Sequence, residues 1–359
     1  MLTASVPDTQ SFAWRCPSNI ALVKYWGKWG NQYPRNPSVS FTLSEAYTET
    51  RLVAQPLMGN AVGQQADKKV AISFQFEGNK NEAFANKVQY FLDSLVAEFP
   101  FLLDYSWHID SHNSFPHSSG IASSASAMGA LALCLCSAER AFCSTLTDEE
   151  AFWRKASRIA RLGSGSACRS VYAQAAVWGI CSLADSSDEY ALPFADYLHP
   201  EVRNFQDTIL IVSRAEKQIS SRAGHALMNN NPYADIRYEQ AKQNVSSMLA
   251  ALQTGDMAQI IAIAEAEALA LHALMMTSSP SYTLIRPNTL HIIEKIRQLR
   301  HDTQLPLCFT LDAGPNVHVL YPAQVASQVM PFIQSELVPY CENAYYIADY
   351  AGNGASSLV

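Results

Sequence analysis

Between Asn81 and Phe99 the apolar residues Phe84, Val88, Phe91, Leu92 and Leu95 recur at the spacing of one helix face. The same period predicts helices over Ser123 to Ala138, Asp148 to Arg161, Pro232 to Gln253, Met257 to Met275 and Pro287 to Arg300, and a further one near Ala323 to Glu336. Apolar runs bounded by turn residues predict strands at Phe12 to Val23, Val39 to Ala46, Thr50 to Ala54, Val70 to Phe76 and Tyr105 to Asp110. A second set follows at Asp207 to Ser213, on both sides of Asp312, and at Ala344 to Asp349. Strands mixed with segregated helices indicate an α+β fold rather than a regular doubly wound sheet. There is no internal repeat, and the Gly/Ser-rich tail AGNGASSLV reads as mobile.

With 359 residues, 48% of them hydrophobic, the chain can fill a full core and form two lobes. A net charge of −7, without a basic run, argues against a nucleic-acid partner. The eight cysteines lack a CxxC pair; Cys134 and Cys136 read as small buried hydrophobes and Cys168 as packing, which suits a reducing cytoplasm. The first residues carry no signal-peptide pattern, and the apolar run near Met128 falls short of the ~20 residues that span a membrane, so no membrane partner is expected. His108, His112 and His117 lack zinc-ligand spacing. His272 reads as a packed helix histidine, and Glu265 and Glu267 as a solvated helix edge.

Four segments carry candidate chemistry. In NIALVKYWGK, Asn19 to Lys28, a short apolar strand runs into Lys24, Tyr25, Trp26, Gly27 and Lys28, which suits an anionic ligand as well as a solvated edge. In PHSSGIASSASAMGALALCL, Gly120, Ala122, Ser123, Ser124 and Ala125 lead into an apolar helix whose free N–H groups favour a phosphate. It is not a Walker loop, because GxxxxGK[ST] is missing from the chain. RLGSGSACRSVY sets Ser164 and Ser166 in a donor-rich turn ahead of Arg169, whose guanidinium can grip a carboxylate or phosphate. FTLDAGPNVHVLYP holds Asp312 in a Gly-Pro-Asn turn between strand-like pieces, placed either to close the turn or to present a carboxylate.

These segments, with PRNPSVSFTL (Pro34 to Leu43) and ISSRAG (Ile219 to Gly224), resemble the GHMP kinase superfamily, and within it the diphosphomevalonate decarboxylase family. The resemblance runs from about Trp14 to about Tyr346. It departs from the family before the loop glycine, where Pro116, His117, Ser118 and Ser119 replace a Pro-Thr-Ala-Ala pattern. The resemblance implies an N-terminal lobe like ribosomal protein S5 domain 2 over residues 1–200, a ferredoxin-like C-terminal lobe over 201–359, and an active-site cleft between them. It implies ATP-dependent decarboxylation of (R)-mevalonate 5-diphosphate to isopentenyl diphosphate, ADP, phosphate and CO2 through phosphorylation of the 3-hydroxyl. Asp312, Arg169, Lys24 and Asn19 would be catalytic. Tyr25, Lys28, Ser164, Ser166, Ser221 and Arg222 would bind substrate. Gly120, Ala122, Ser123 and Ser124 would meet ATP, with Mg2+ held by ligands the sequence does not name. A cytoplasmic homodimer is expected on the same ground. Three alternatives stand beside this: a mevalonate 5-phosphate decarboxylase, a mevalonate 3-kinase, and a non-catalytic ligand-binding protein on the same fold.

Overall fold

The computed structural model describes residues 9–57, 69–116, 121–215 and 219–359. Strand β1 (Gln10–Val23) leads through the small hairpin β2 (Lys28–Trp29) and β3 (Tyr33–Pro34) into β4 (Ser38–Pro56). Then come β5 (Ala71–Phe76), β6 (Asn79–Lys80), helix α1 (Glu82–Ser94), β7 (Tyr105–Asn113), α2 (Ser123–Cys143), α3 (Glu149–Gly163) and α4 (Ala167–Ser170). β8 (Ala175–Trp178), β9 (Ala191–Pro193), α5 (Pro200–Arg203) and β10 (Phe205–Leu210) follow. The rest is α6 (Ser221–Leu227), α7 (Ala234–Thr254), α8 (Met257–Met276), α9 (Pro287–Thr303), β11 (Cys308–Leu311), β12 (Val317–Pro322), α10 (Ala326–Phe332), β13 (Tyr346–Tyr350) and β14 (Ser356–Ser357).

The strands form two main sheets. One runs β14-β1-β4-β7-β5-β6, with β8 on β4 and β9 on β8; the other runs β11-β12-β10-β13. The first is antiparallel except where β5 lies parallel to β7, a pairing that needs a crossover, here supplied by α1. One core lies beneath α2, where Trp14, Leu52, Phe91, Trp107, Leu133 and Phe152 meet. A second joins the sheets: Ile20, Leu22 and Phe41 of the large sheet cluster with Phe205 and Ile209 of the small one and with Val245 of α7. Shared apolar burial of this kind, worth about 1.5–3 kcal/mol per large side chain, fixes one sheet against the other.

Several expectations need correction. The two strands predicted between Val39 and Ala54 are one, β4, because Asp349 accepts the N–H groups of Ser44, Glu45 and Ala46 at 2.7, 2.9 and 2.8 Å and so carries the strand through an irregular stretch. The tail is not loose: β14 pairs with β1, and a Cβ on Gly352 would come within 2.5 Å of the Leu43 carbonyl oxygen. The helix predicted to Glu336 ends at Phe332 and continues as a π turn, Ile333–Leu337. The apolar stretches are also longer than the composition suggested. Ser123–Cys143 and Met257–Met276 have membrane-spanning length, but 56% of each one's apolar window is buried within the fold.

Candidate active site

β1 ends at Val23, and Lys24 is the first residue beyond the sheet. Its ammonium lies 3.1 Å from Asp312 Oδ1, with the lysine side chain 2% exposed and the aspartate 24%. Asp312 itself stands in the turn between β11 and β12. Burial lowers the Lys24 pKa and the neighbouring Asp312 carboxylate works against that shift. The Lys24 backbone is pinned on both sides: its N–H donates to Glu267 Oε2 at 2.8 Å, and Asn36 Nδ2 donates to its carbonyl at 2.9 Å. Glu267 also accepts from Asn244 at 2.6 Å and from Arg237. Glu265 accepts from Arg300 at 2.5 Å. Both glutamates are buried in α8, so neither forms the solvated edge their spacing suggested; each carboxylate is matched by arginine, which is what buried charge requires. His272, one turn further along α8, packs as expected and meets the Asp312 carbonyl through Nε2 at 3.1 Å.

Arg169 belongs to α4 and is buried. Its Nε donates to Ser40 Oγ at 2.9 Å, Nη1 to Ser38 Oγ at 2.6 Å and Nη2 to Asn19 Oδ1 at 3.2 Å. A guanidinium has five N–H donors; one on each terminal nitrogen therefore stays uncommitted to these partners, in a residue that lines the cleft. Asn19 is locked in turn by Ser170 Oγ at 2.8 Å and the Ser166 carbonyl at 3.1 Å. Ser38 and Ser40 were not singled out in the sequence; serines alternating on a strand look like ordinary sheet residues until the arginine is seen beside them.

Tyr25 packs between Trp178 and His225, with ring centroids 4.7 and 4.5 Å away, and its buried hydroxyl has no hydrogen-bond partner among the described residues. A Cβ on Gly165 would sit 2.7 Å from that hydroxyl, so only glycine leaves the approach open. Lys28 donates to Gln32 Oε1 at 2.7 Å, and burial, with Arg222 nearby, lowers its pKa. Ser221 and Arg222 are exposed at the start of α6, beside the capping Ser220. Gly27, at φ +95°, donates its N–H to His225 Nδ1 at 2.9 Å.

The cleft that joins these groups has a volume of about 880 Å³. The start of α2 opens onto it through Ala122 and Ser124, and no side chain caps that helix, in contrast to Asn81 on α1, Asp148 on α3 and Asp256 on α8. Ser124 Oγ lies 3.2 Å from Ser164 Oγ, and Ser166 lines the same wall. Ser123 is not part of the lining: its carbonyl accepts from Ser126 within α2. Gly120, with His117, Ser118 and Ser119, lies outside the described residues. Helix α1, which the spacing predicts as an element, also lines the cleft with Asn86, Lys87, Tyr90 and Ser94, a role the sequence does not announce. Asn86, Tyr90 and Ser94 fall at four-residue steps, the only trace of this role, and such a stripe is normally a solvated face.

Among the described residues, five basic side chains line the cleft (Lys24, Lys28, Lys87, Arg169 and Arg222) against one carboxylate, that of Asp312, in a chain of net charge −7. Positive charge is thus concentrated where an anion would sit. Among the described residues no group of three or more His, Cys, Asp or Glu could hold a metal. The donors present, one carboxylate and several hydroxyls, fit a magnesium ion carried mainly by phosphate oxygens and water, and do not form a protein cage.

Two family models match the chain: a diphosphomevalonate decarboxylase-like N-terminal domain over residues 16–190 and a mevalonate 5-diphosphate decarboxylase C-terminal domain over residues 208–355. Diphosphomevalonate decarboxylase from Eremothecium gossypii is 28% identical over 89% of this chain and 79% of its own length. The Saccharomyces cerevisiae protein of that name is 28% identical over 88% and 79%. Among solved structures, mevalonate diphosphate decarboxylase from Staphylococcus aureus superposes with a TM-score of 0.80 at 27% identity, covering 98% of this chain and 99% of that one. A structure described as MDDEF in complex with MVAPP, AMPPCP and magnesium gives 0.80 at 28% identity, with the same coverage.

Proposed function

The chain belongs to the diphosphomevalonate decarboxylase family, and from that premise we propose how its cleft carries out the ATP-dependent decarboxylation of mevalonate 5-diphosphate. The observation that carries the proposal is the Lys24–Asp312 pair at 3.1 Å in the same cleft that the buried Arg169 lines.

Hydroxide is a poor leaving group from a tertiary carbon, so the 3-hydroxyl is first converted to a phosphate. Asp312 accepts a hydrogen bond from that hydroxyl, aims its oxygen at the γ-phosphorus, and takes the proton late in the transfer, as phosphoryl transfer allows. Lys24 holds Asp312 in place and faces the negative charge that gathers on the transferred group. The two uncommitted N–H groups of Arg169 grip the substrate carboxylate, with Asn19, Ser38 and Ser40 fixing the plane of the guanidinium. When the 3-phosphate departs, the carbon–carboxylate bond breaks and its electron pair forms the new double bond, releasing CO2.

Lys28, Arg222, Ser221, Ser166 and the orphan hydroxyl of Tyr25 bind the diphosphate end. The nucleotide phosphates meet the uncapped start of α2, with Ser124 as donor; Ser164, 3.2 Å from it, serves the substrate side as the resemblance implies, and α1 offers Tyr90, Asn86 and Lys87 to the rest of the nucleotide. Magnesium, bound with ATP, would neutralise phosphate charge, with Asp312, Ser124 and Ser164 the groups in reach of that role. Eight free cysteines support a cytoplasmic setting.

A parallel assay of mevalonate 5-diphosphate and mevalonate 5-phosphate, following ADP and labelled CO2 together, tests the reading. Equal yields of both products from the diphosphate are expected. ADP without CO2, or preference for the monophosphate, would overturn it.

A further inference from the structure

His225 lies outside every role assigned so far, yet it lines the cleft between the turn after β1 and helix α6. The imidazole lies between Tyr25 and Trp26, with ring centroids 4.5 and 4.4 Å away and the rings tilted by 39° and 33°. Its Nδ1 is the acceptor for the Gly27 N–H at 2.9 Å. A nitrogen that accepts carries no proton, so the ring proton sits on Nε2 and the tautomer is fixed. No hydrogen bond among the described residues engages Nε2, and it is not sealed away among the buried unpartnered atoms. The ring thus has one N–H donor to offer, in a residue flanked by Tyr25, Lys28, Ser221 and Arg222 along the same wall.

We propose that His225 is a specificity-determining residue, donating Nε2–H to the diphosphate end of the substrate as an uncharged, pre-aimed donor. This rests on the reading of the cleft as a mevalonate 5-diphosphate site. The proton cannot move to Nδ1 without breaking the Gly27 bond. Burial, and secondarily Lys28, push the imidazole pKa down to about 3, so the ring is neutral throughout the working range. A neutral donor adds directionality to a site already crowded with cations, and it adds no repulsion to Lys28 in the free enzyme. The same ring ties α6, which carries Ser221 and Arg222, to the turn that carries Tyr25 and Lys28.

Two substitutions separate the donor from the tie. His225→Asn keeps an acceptor near the Nδ1 position but loses the donor; His225→Gln places an amide N–H near the Nε2 position but loses the acceptor. The proposal expects His225→Asn to raise KM for mevalonate 5-diphosphate about tenfold, the usual worth of a hydrogen bond to a charged group. Its kcat and its KM for ATP should stay within about twofold. His225→Gln should recover most of the KM lost in His225→Asn, because it restores the donor, while lowering thermal stability through loss of the Gly27 bond. If His225→Asn fails to fold, long-range 15N NMR of the wild-type imidazole decides instead: the Nε2–H tautomer and a shift of Nε2 on adding mevalonate 5-diphosphate are expected. A wild-type KM in His225→Asn, or an Nε2 resonance unmoved by the diphosphate, would overturn the inference while leaving the cleft's function intact. A wild-type enzyme inactive on the diphosphate would overturn both.

Discussion

Arg169 shows how a single side chain is prepared for work. Three of its donors are fixed by Ser40, Ser38 and Asn19, so the rest of the guanidinium cannot swing. Arg169→Ala is expected to lower kcat by about 10²–10³, the usual cost of removing a pre-aimed donor, with KM for ATP little changed; steady-state kinetics in both substrates check this. A fall in ATP affinity alone would move Arg169 to the nucleotide site. Lys24 makes the pH prediction. Its folded-state pKa is lowered by burial below the usual 10.5, so as pH rises it loses its proton earlier than an exposed lysine would. Activity should therefore decline on the alkaline side before pH 10.5, whereas stability should rise with pH across the same window, because there the unfolded chain binds the extra proton. A pH–rate profile flat up to pH 10.5 would contradict a working Lys24 ammonium. At this scale the sequence was most legible. Lys24, Arg169 and Asp312 are charged residues set against apolar strands, glycines and small residues, and such contrasts survive in one dimension. Ser38, Ser40 and His225 were missed because serine on a strand and histidine in a short helix carry no signal until a partner stands beside them.

Elements place these residues, and α8 bears the largest hidden share. Glu267 is fully buried, holds the Lys24 N–H and is matched by Arg237 and Asn244. Glu267→Gln leaves a buried arginine without its counter-charge and should cost about 3 kcal/mol or more, read by urea unfolding; a loss below 1 kcal/mol would show that the pair is dispensable. The spacing predicts the bounds of this helix to within one residue, but it misplaces Glu265 and Glu267, because α8 is apolar nearly all round and a glutamate on such a helix is assigned to water by default. The Gly163–Ser166 turn is under a tighter constraint. In Gly165→Ala the new Cβ would crowd the Tyr25 hydroxyl at 2.7 Å and Trp178 at 3.0 Å. KM for the diphosphate should rise between about tenfold and a hundredfold, with KM for ATP unaffected; unchanged kinetics would remove Tyr25 from the substrate site. Helices α1, α3, α7 and α9 were legible to within a few residues from apolar spacing alone. The continuity of β4 was not, because the bond from Asp349 that carries it across Ser44–Ala46 joins residues some three hundred positions apart.

On the scale of the whole molecule, two sheets share one core, and so a lysine at the end of β1 and an aspartate between β11 and β12 become neighbours. The order of predicted strands and helices announced an α+β chain, which the two sheets and their helices bear out, and the segments around Lys24, Lys28 and Arg169 announced local positive charge in an acidic chain, which the cleft gathers. The sequence could not announce which side chains meet in that cleft, since that depends on contacts between distant segments. The homodimer implied by the resemblance belongs to this scale as well: light scattering should give twice the chain mass, and a monomer at all concentrations would contradict it. The most direct test of the central claim is single-turnover chemistry in Asp312→Asn, with substrate and ATP binding measured in parallel. Binding of both ligands should stay within about threefold of wild type, with a turnover loss of about 10²-fold or more. Near-normal turnover in that variant would contradict the claim, because the carboxylate facing Lys24 would then have no part in the reaction.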